Sequence, residues 1–305
     1  MNLVSLLITV VGLAFFETIS SVDNAIINAE VLGTMGQKAR RWFLIWGMLF
    51  AVFVIRGVLP FLIVWAINPQ FGPWGALTAT FSNDPKIAES IEASAPILLI
   101  AGGTFMVFLF FHWLFLEPKN FGLKGEKFFM AQGVWFYAIV SVLLMGIVWL
   151  ALQTNPMMAF GAVVGSTAFF ITHGFKQNAE VSEKQLMQKP LSDVSKIFYL
   201  EVIDATFSID GVLGAFAFTL SVPIILLGNG LGAIIVRELT IRNIEKIKKY
   251  IYIKNGAMYS VLFLGIIMLL DSFHVTIPSW VSPAITFVIV AYFFYKSKKN
   301  LKNLL

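Results

Sequence analysis

The chain contains no cysteine, and this absence excludes disulfide bonds, thiolate metal sites and cysteine redox chemistry. Charged residues are scarce, at 13% of the sequence, whereas a soluble domain has about 25%. In contrast, 58% of the 305 residues are hydrophobic, and the mean hydropathy is +0.82. These values indicate a membrane protein. The net charge of +5 does not indicate nucleic-acid binding, because the basic residues form short runs between apolar segments.

Nine apolar segments are long enough to cross a bilayer, which takes about 20 residues. They predict an all-α, polytopic membrane protein whose single transmembrane domain covers residues 1–305 and whose main partner is the lipid bilayer. The nine segments cover residues 3–30, 42–67, 95–116, 131–152, 156–175, 197–220, 222–239, 256–272 and 278–295.

The basic residues predict the orientation of these segments. Nineteen of the 22 Lys and Arg residues fall on alternate loops, and the opposite set of loops holds only Lys86. Because cytosolic loops are enriched in Lys and Arg, the amino terminus is expected outside and the carboxyl terminus in the cytosol. We therefore expect a multi-pass protein of the cell membrane, plasma or inner.

Two acidic motifs of the form acid-x-x-x-Ser-x-Asp lie inside apolar segments. The first acidic motif (residues 17–23) contains Ser21, and the second (residues 204–210) contains Ser208 and is preceded by Glu201. A carboxylate inside a bilayer costs several kcal/mol, so it usually faces a cavity, a partner or an ion path. This pattern favours a transporter.

The two motifs also predict an inverted repeat. They run in opposite directions through the membrane, and an arginine follows each motif in the next segment, Arg56 after the first and Arg237 after the second. Segments one to three and six to eight would form a 3+3 repeat, a common architecture of secondary transporters. Repeat one covers about residues 3–116 and repeat two about residues 197–272. The additional spans are about 131–175 and 278–295.

The side chains of the two motifs predict a binding site for a divalent cation. Five carboxylates face only two intramembrane arginines, so the excess charge must be relieved by protons or by a bound cation. Carboxylate, amide and hydroxyl oxygens suit Mg²⁺, Ca²⁺ or Mn²⁺ and not Cu⁺ or structural Zn²⁺. The candidate metal ligands are Glu17, Asp23, Asn24, Glu201, Asp204 and Asp210, and the supporting or gating residues are Ser21, Ser208, Asn229, Arg56 and Arg237.

On ideal helices these groups do not share one face. We therefore expect the helices to bend or unwind near Asp23-Asn24 and near Asp210-Gly211. His112 lies beside aromatic residues near the end of its segment, where an interfacial residue is the favoured interpretation, and His173 is assigned no role.

These motifs resemble those of the TerC/Alx family of membrane proteins, which is associated with tellurium resistance and manganese export. Residues 17–24 match its signature Glu-x5-Asp-Asn, and residues 201–210 match Glu-x-x-Asp-x-x-Phe-x-x-Asp. A third signature, Asn-x7-Arg, is matched by Asn229 and Arg237. The residue pattern around the first motif looks closest to a TerC-like branch that has been left as a domain of unknown function. The resemblance implies a LysE-like transporter architecture with manganese as the favoured substrate.

We expect a secondary transporter that exports a divalent cation, Mn²⁺ before Ca²⁺ or Mg²⁺, and that needs no cofactor. Carboxylates that bind either metal or protons allow exchange of one for the other. One alternative is a membrane scaffold for cytosolic stress-response partners, with a regulatory metal site and contacts through loops 176–196 and 240–255. An enzyme is not expected: an intramembrane aspartyl protease would need a Gly-x-Gly-Asp context that the chain lacks.

Overall fold

The structure is a computed structural model in which 88% of the chain is helical, with no strand among the described residues. It describes residues 3–47, 49–67, 69, 72, 74–75, 85–118, 122–188, 192–242 and 249–304. The side chains of Arg56 and Phe207 lie outside the description, as do those of several other residues within these ranges. The predicted all-α class is confirmed.

Twelve α-helices are described, and long apolar stretches of sequence account for most of them. In chain order they are α1 (Leu3–Ser20), α2 (Val22–Gly33), α3 (Gln37–Trp42), α4 (Arg56–Ile67), α5 (Pro85–Leu116), α6 (Lys124–Ala131), α7 (Phe136–Thr154), α8 (Pro156–Gln188), α9 (Asp193–Ala215), α10 (Val222–Arg242), α11 (Ile253–Ser272) and α12 (Val281–Leu304). Two π-helical segments, Phe43–Gly47 and Phe50–Ile55, lie between α3 and α4.

Within the described part of the chain, six helical segments are long and apolar enough to cross a membrane. They are Leu3–Ser20, Ala93–Leu116, Gly133–Thr154, Pro156–Phe175, Val222–Leu239 and Ile253–Ser272. This finding supports a multi-pass membrane protein. The other three predicted segments, 42–67, 197–220 and 278–295, fall respectively on the region from α3 to α4, on α9 and on α12.

The outer faces of the spanning helices are apolar. On α7, Val142, Met145 and Trp149 are each more than 60% exposed. Large apolar side chains at this exposure suit contact with lipid, because hydrocarbon tails solvate them where water would not. The membrane environment therefore follows from the surface of the fold as well as from the composition.

Small residues allow the central helices to approach closely. α5 packs against both α11 and α8. A Cβ atom built on Gly103 of α5 would lie 2.9 Å from the carbonyl oxygen of Gly265 on α11. On α8, a Cβ atom at Gly165 would clash with the backbone of Ala101 on α5. Such contacts are typical of helix pairs in membranes, where backbone proximity supplies the attraction.

Two helix boundaries that the sequence predicted are present. α7 ends at Thr154 and α8 begins at Pro156, and the side chain of Asn155 accepts a hydrogen bond from the backbone amide of Met157 at 2.9 Å. α10 begins at Val222 after a turn in which the Thr219 hydroxyl accepts from the Ser221 amide at 3.1 Å. In each turn a short polar side chain satisfies a backbone donor that the helices leave without a partner.

The predicted helix breaks are only partly present. The first segment is interrupted at Ser21, two residues before Asp23, and the interruption is narrow because Ala25 still donates to the Ser21 carbonyl at 2.9 Å. The second prediction was wrong: α9 runs without interruption through Asp210 and Gly211. α8 also continues beyond the predicted fifth segment to Gln188, so the first part of the predicted cytosolic loop at 176–196 is helical.

Candidate functional site

The two acidic motifs meet where α2 contacts α9. The side-chain amides of Asn24 and Asn28, one helical turn apart on α2, both donate to the same carboxylate oxygen of Asp204 on α9, at 2.7 and 2.9 Å. All three side chains are buried, and Asp204 is 3% exposed. The residues come together because positions i and i+4 of a helix share one face. Asn24 was predicted as a ligand, whereas Asn28 was not.

The same two asparagines leave oxygen atoms available. Neither Asn24 Oδ1 nor Asn28 Oδ1 has a hydrogen-bond partner among the described residues, although both atoms are buried. Buried polar atoms are nearly always paired, so an unsatisfied pair calls for an ion or a water molecule. The contact between α2 and α9 thus gathers carboxylate and amide oxygens, which are hard ligands.

Glu17 lies in a narrow space between α1, α9 and α10. It is 1% exposed, and the Ser21 hydroxyl donates to its Oε1 at 2.6 Å. A Cβ atom at Gly211 would lie 2.6 Å from Glu17 Oε2, and one at Gly232 would lie 2.6 Å from Glu17 Cβ. Gly211 therefore makes room for the carboxylate of the opposite motif. This explains a residue for which the sequence suggested a helix break.

Asp23 forms an ion pair that the sequence did not predict. The ammonium of Lys254, at the start of α11, lies 2.9 Å from Asp23 Oδ2 and 2.6 Å from Glu117 Oε2. The three side chains are between 31% and 41% exposed. Lys254 belongs to the predicted cytosolic loop 240–255, and its pairing with Asp23 depends on how α11 packs.

Asp210 lies near this ion pair. A small cavity of about 40 Å³ is lined by Asp23, Asp210 and Lys254 together with apolar residues of α1, α5 and α11. A cavity of this size holds one or a few water molecules or a small cation. The last aspartates of the two motifs thus line one cavity.

Glu201 and Ser208 lie on α9, before and after Asp204 in the sequence. The carboxylate of Glu201 lies against Gly47 of the first π-helical segment, and its two oxygens have no hydrogen-bond partner among the described residues. The Ser208 hydroxyl donates to the backbone carbonyl of Asp204, one turn earlier on α9. Ser208 therefore buttresses the helix that presents Asp204.

The predicted supporting residues of α10 are both present near the site helices. Asn229 is 2% exposed, and neither its amide nitrogen nor its oxygen has a partner in the described part of the chain. It follows Gly228, which packs against Leu13 of α1. The Nε atom of Arg237 is buried without a described partner. The side chain of Arg56 lies outside the described residues, so its gating role remains a prediction from the sequence.

The described carboxylates do not form one ready-made metal cluster. Among the residues whose side chains are described, no three His, Asp or Glu side chains lie close enough to hold a single ion. Instead four of the five acids occupy three places: Asp204 with its asparagines, Glu17 with Ser21, and the cavity of Asp23 and Asp210. The fifth acid, Glu201, lies apart from them against Gly47, so each of the three places offers one or two carboxylates.

Glu126 is a buried acid that the sequence analysis missed. It is 1% exposed, and its Oε2 accepts from the Leu123 amide at 3.0 Å and from the Asn255 side chain at 2.8 Å. The signal was its third position in α6, where a glutamate often reaches back to the residue before the helix. This contact fastens α6 to the start of α11.

His112 packs against a second histidine. It is 5% exposed, and the centroid of its ring lies 3.6 Å from that of His173, with Phe136 and Phe169 around the pair. The histidine therefore lies inside the helix bundle, between α5 and α8. Neither imidazole lines the cavity of Asp23 and Asp210.

Comparisons with known proteins identify the family to which the chain belongs. Searches of the curated proteins and of the solved structures found no match. A family model described as "Protein of unknown function (DUF475)" matches residues 22–303, which include every candidate site residue except Glu17 and Ser21. The chain therefore belongs to the DUF475 family.

Proposed function

We propose that this protein is a secondary transporter that exports a divalent metal cation, with Mn²⁺ as the favoured ion. The observation that carries the proposal is the meeting of the two acidic motifs at the α2–α9 contact. There the buried Asp204 carboxylate accepts hydrogen bonds from the side-chain amides of Asn24 and Asn28, and the oxygens of both asparagines have no described donor. Carboxylate and amide oxygens gathered at one buried contact are ligand types that a divalent cation prefers.

The distribution of the acids suits a cation that passes through the protein more than one that stays bound permanently. The three places described above lie along α1, α2 and α9, and each has few charged ligands. An ion that must leave again needs sites that bind it weakly or in succession. Carboxylates also accept protons when the cation departs, so proton exchange is the coupling that we propose.

The same proposal includes nine spans and an inverted repeat. Gly47 and Gly228 each precede an intramembrane arginine by nine residues. Gly47 packs against Glu201 of α9 and Gly228 against Leu13 of α1, so each lies against the acidic helix of the other repeat. Gly103 and Gly265, in the third and eighth proposed spans, contact each other. These reciprocal contacts support a two-fold relation between the repeats.

Sequence supports the remaining parts of the proposal. The alternation of basic loops favours an external amino terminus and a cytosolic carboxyl terminus in the cell membrane. The resemblance of residues 17–24 and 201–210 to the TerC/Alx signatures favours manganese among the cations that oxygen ligands accept.

The decisive experiment measures metal flux in liposomes that contain the purified protein. Mn²⁺, Ca²⁺ and Mg²⁺ are compared with and without a pH gradient. We expect Mn²⁺ flux that depends on the gradient, and we expect it to be abolished in Asp23→Asn and Asp210→Asn while both variants still fold and insert. The physical reason is that the amide keeps the shape but removes the charge that attracts the dication.

Asp271→Asn is the matched control. Asp271 lies at the opposite end of α11 from Lys254 and accepts a hydrogen bond from the Ile277 amide at 3.0 Å, which an asparagine oxygen can also accept. Its flux should equal that of the wild type. Wild-type flux in both site variants would refute the carboxylate site, and no flux of any ion through folded wild-type protein would favour the scaffold alternative.

A further inference from the structure

Lys254 places a positive charge where the transported cation would have to bind. Its ammonium lies 2.9 Å from Asp23 Oδ2, and the two residues line the same small cavity as Asp210. A dication at Asp23 and an ammonium at the same carboxylate repel each other strongly at this range. The ammonium therefore competes with a dication for the Asp23 carboxylate.

Glu117 gives the ammonium a second acceptor. It follows the last residue of α5, and its Oε2 lies 2.6 Å from Lys254 Nζ. The lysine side chain has a flexible four-carbon stem, so its ammonium can shift toward one carboxylate and away from the other. The side chains of both acids are about one-third exposed, and an ion pair at that exposure is weak enough to exchange.

The backbone at this point is held in place while the side chain is free to shift. Asn255, the next residue, is 2% exposed and donates to the buried Glu126 at 2.8 Å. This contact ties the first turn of α11 to α6. A shift of the Lys254 ammonium therefore needs rotation of its own side chain and no displacement of the helix.

We propose that Lys254 is a tethered cation that pairs with both Asp23 and Glu117 in the ion-free protein and withdraws onto Glu117 alone when the transported dication arrives at Asp23. The inference rests on the proposed function and deepens it. Lys254 acts through Asp23 as a positioning residue. It keeps the carboxylate compensated in the absence of metal, and it lowers the affinity for the ion so that the ion can be released.

The inference predicts changes of opposite sign in two variants. Lys254→Met removes the competing charge with little loss of volume, so the affinity for Mn²⁺ should rise, by roughly two- to fivefold for a half-exposed ion pair. Glu117→Gln removes the second acceptor, holds the ammonium on Asp23 and should lower the affinity by a similar factor. Lys254→Arg keeps the charge and should stay near the wild type.

The test is Mn²⁺ binding to the purified full-length protein, measured by titration calorimetry at fixed pH and salt. Lys249→Met, an exposed lysine just before α11, is the control and should bind as the wild type does. A purely structural role for Lys254 would lower the affinity in Lys254→Met as in Glu117→Gln. That result, or an unchanged affinity in both, would overturn the inference and leave the transporter proposal standing. Absence of Mn²⁺, Ca²⁺ and Mg²⁺ binding to both the wild type and Lys254→Met would refute both.

Discussion

At the scale of single residues, glycine decides where the carboxylates can lie. Gly211 follows the last aspartate of the second motif, and a helix break there was a reasonable expectation. The helix instead continues, and the missing side chain leaves room for Glu17 Oε2 from α1. Because Gly211 has no Cβ atom, the carboxylate of the first motif can pack directly against the helix that carries the second motif.

Gly211→Ala tests this role. The added Cβ atom would lie 2.6 Å from Glu17 Oε2, so the carboxylate must rotate away. We expect a loss of Mn²⁺ affinity of about tenfold, the lower end of what displaced partners of metal ligands cost. The free energy of unfolding should fall by no more than about 1–3 kcal/mol, because the clash falls on the end of a side chain that can shift, although that side chain is buried. Mn²⁺ titration and thermal unfolding measure the two effects.

Gly230→Ala on α10 is the control for this variant. No atom lies within 4 Å of a Cβ atom built there, so the affinity should be unchanged and the stability unchanged or slightly raised. Equal affinities of Gly211→Ala and Gly230→Ala would contradict the assigned position of Glu17.

At the scale of the elements, the α5–α8 contact depends on small residues one turn apart. Gly161 and Gly165 of α8 face the backbone of α5, where built Cβ atoms would collide with the carbonyl oxygens of Ile97 and Ala101. Two glycines at this spacing let helix backbones approach closely in a membrane. This contact fixes α8 against the helix that also packs on α11.

Gly165→Ala should force α5 and α8 apart. Neither partner can yield locally, since the colliding atoms of Ala101 are backbone atoms. We expect a destabilisation of about 1–3 kcal/mol, the usual cost of overfilling a close contact, seen as a lower melting temperature in detergent. Gly174→Ala, on an exposed part of the same helix with no atom within 4 Å, should leave it unchanged or slightly raised. Equal shifts in the two variants would contradict the close crossing.

At the scale of the whole molecule, the orientation of the protein in the membrane depends on the distribution of charged residues and not on the fold. The helices have exposed apolar faces, but these do not distinguish inside from outside. The alternation of lysine-rich loops does, through the preference of Lys and Arg for the cytosolic side.

The absence of cysteine makes this orientation directly measurable. Ser279→Cys places a thiol in the exposed turn between α11 and α12, and Lys299→Cys places one near the exposed end of α12. We expect a membrane-impermeant maleimide to label Ser279→Cys in intact cells and Lys299→Cys only after permeabilisation. The reverse pattern would invert the proposed topology, and labelling of both in intact cells would contradict a crossing of the membrane by α12.

The helical class, the membrane environment and the two acidic motifs were predictable from the sequence alone. The length and composition of apolar segments are local properties, and a carboxylate inside one is recognisable because it is costly there. The turn at Asn155 was predictable for the same reason, since proline and a short polar side chain act locally.

Only the tertiary structure decided which groups meet. Asn24 and Asp204 are 180 residues apart, and Lys254 reaches Asp23 from the opposite end of the chain. Such contacts depend on which helix faces are buried together and on the glycines that allow close approach, and neither is encoded at one position. The sequence by itself determined that acids lie within apolar segments, because the composition of a segment is a local property. Their partners were set by helix packing, which is not local.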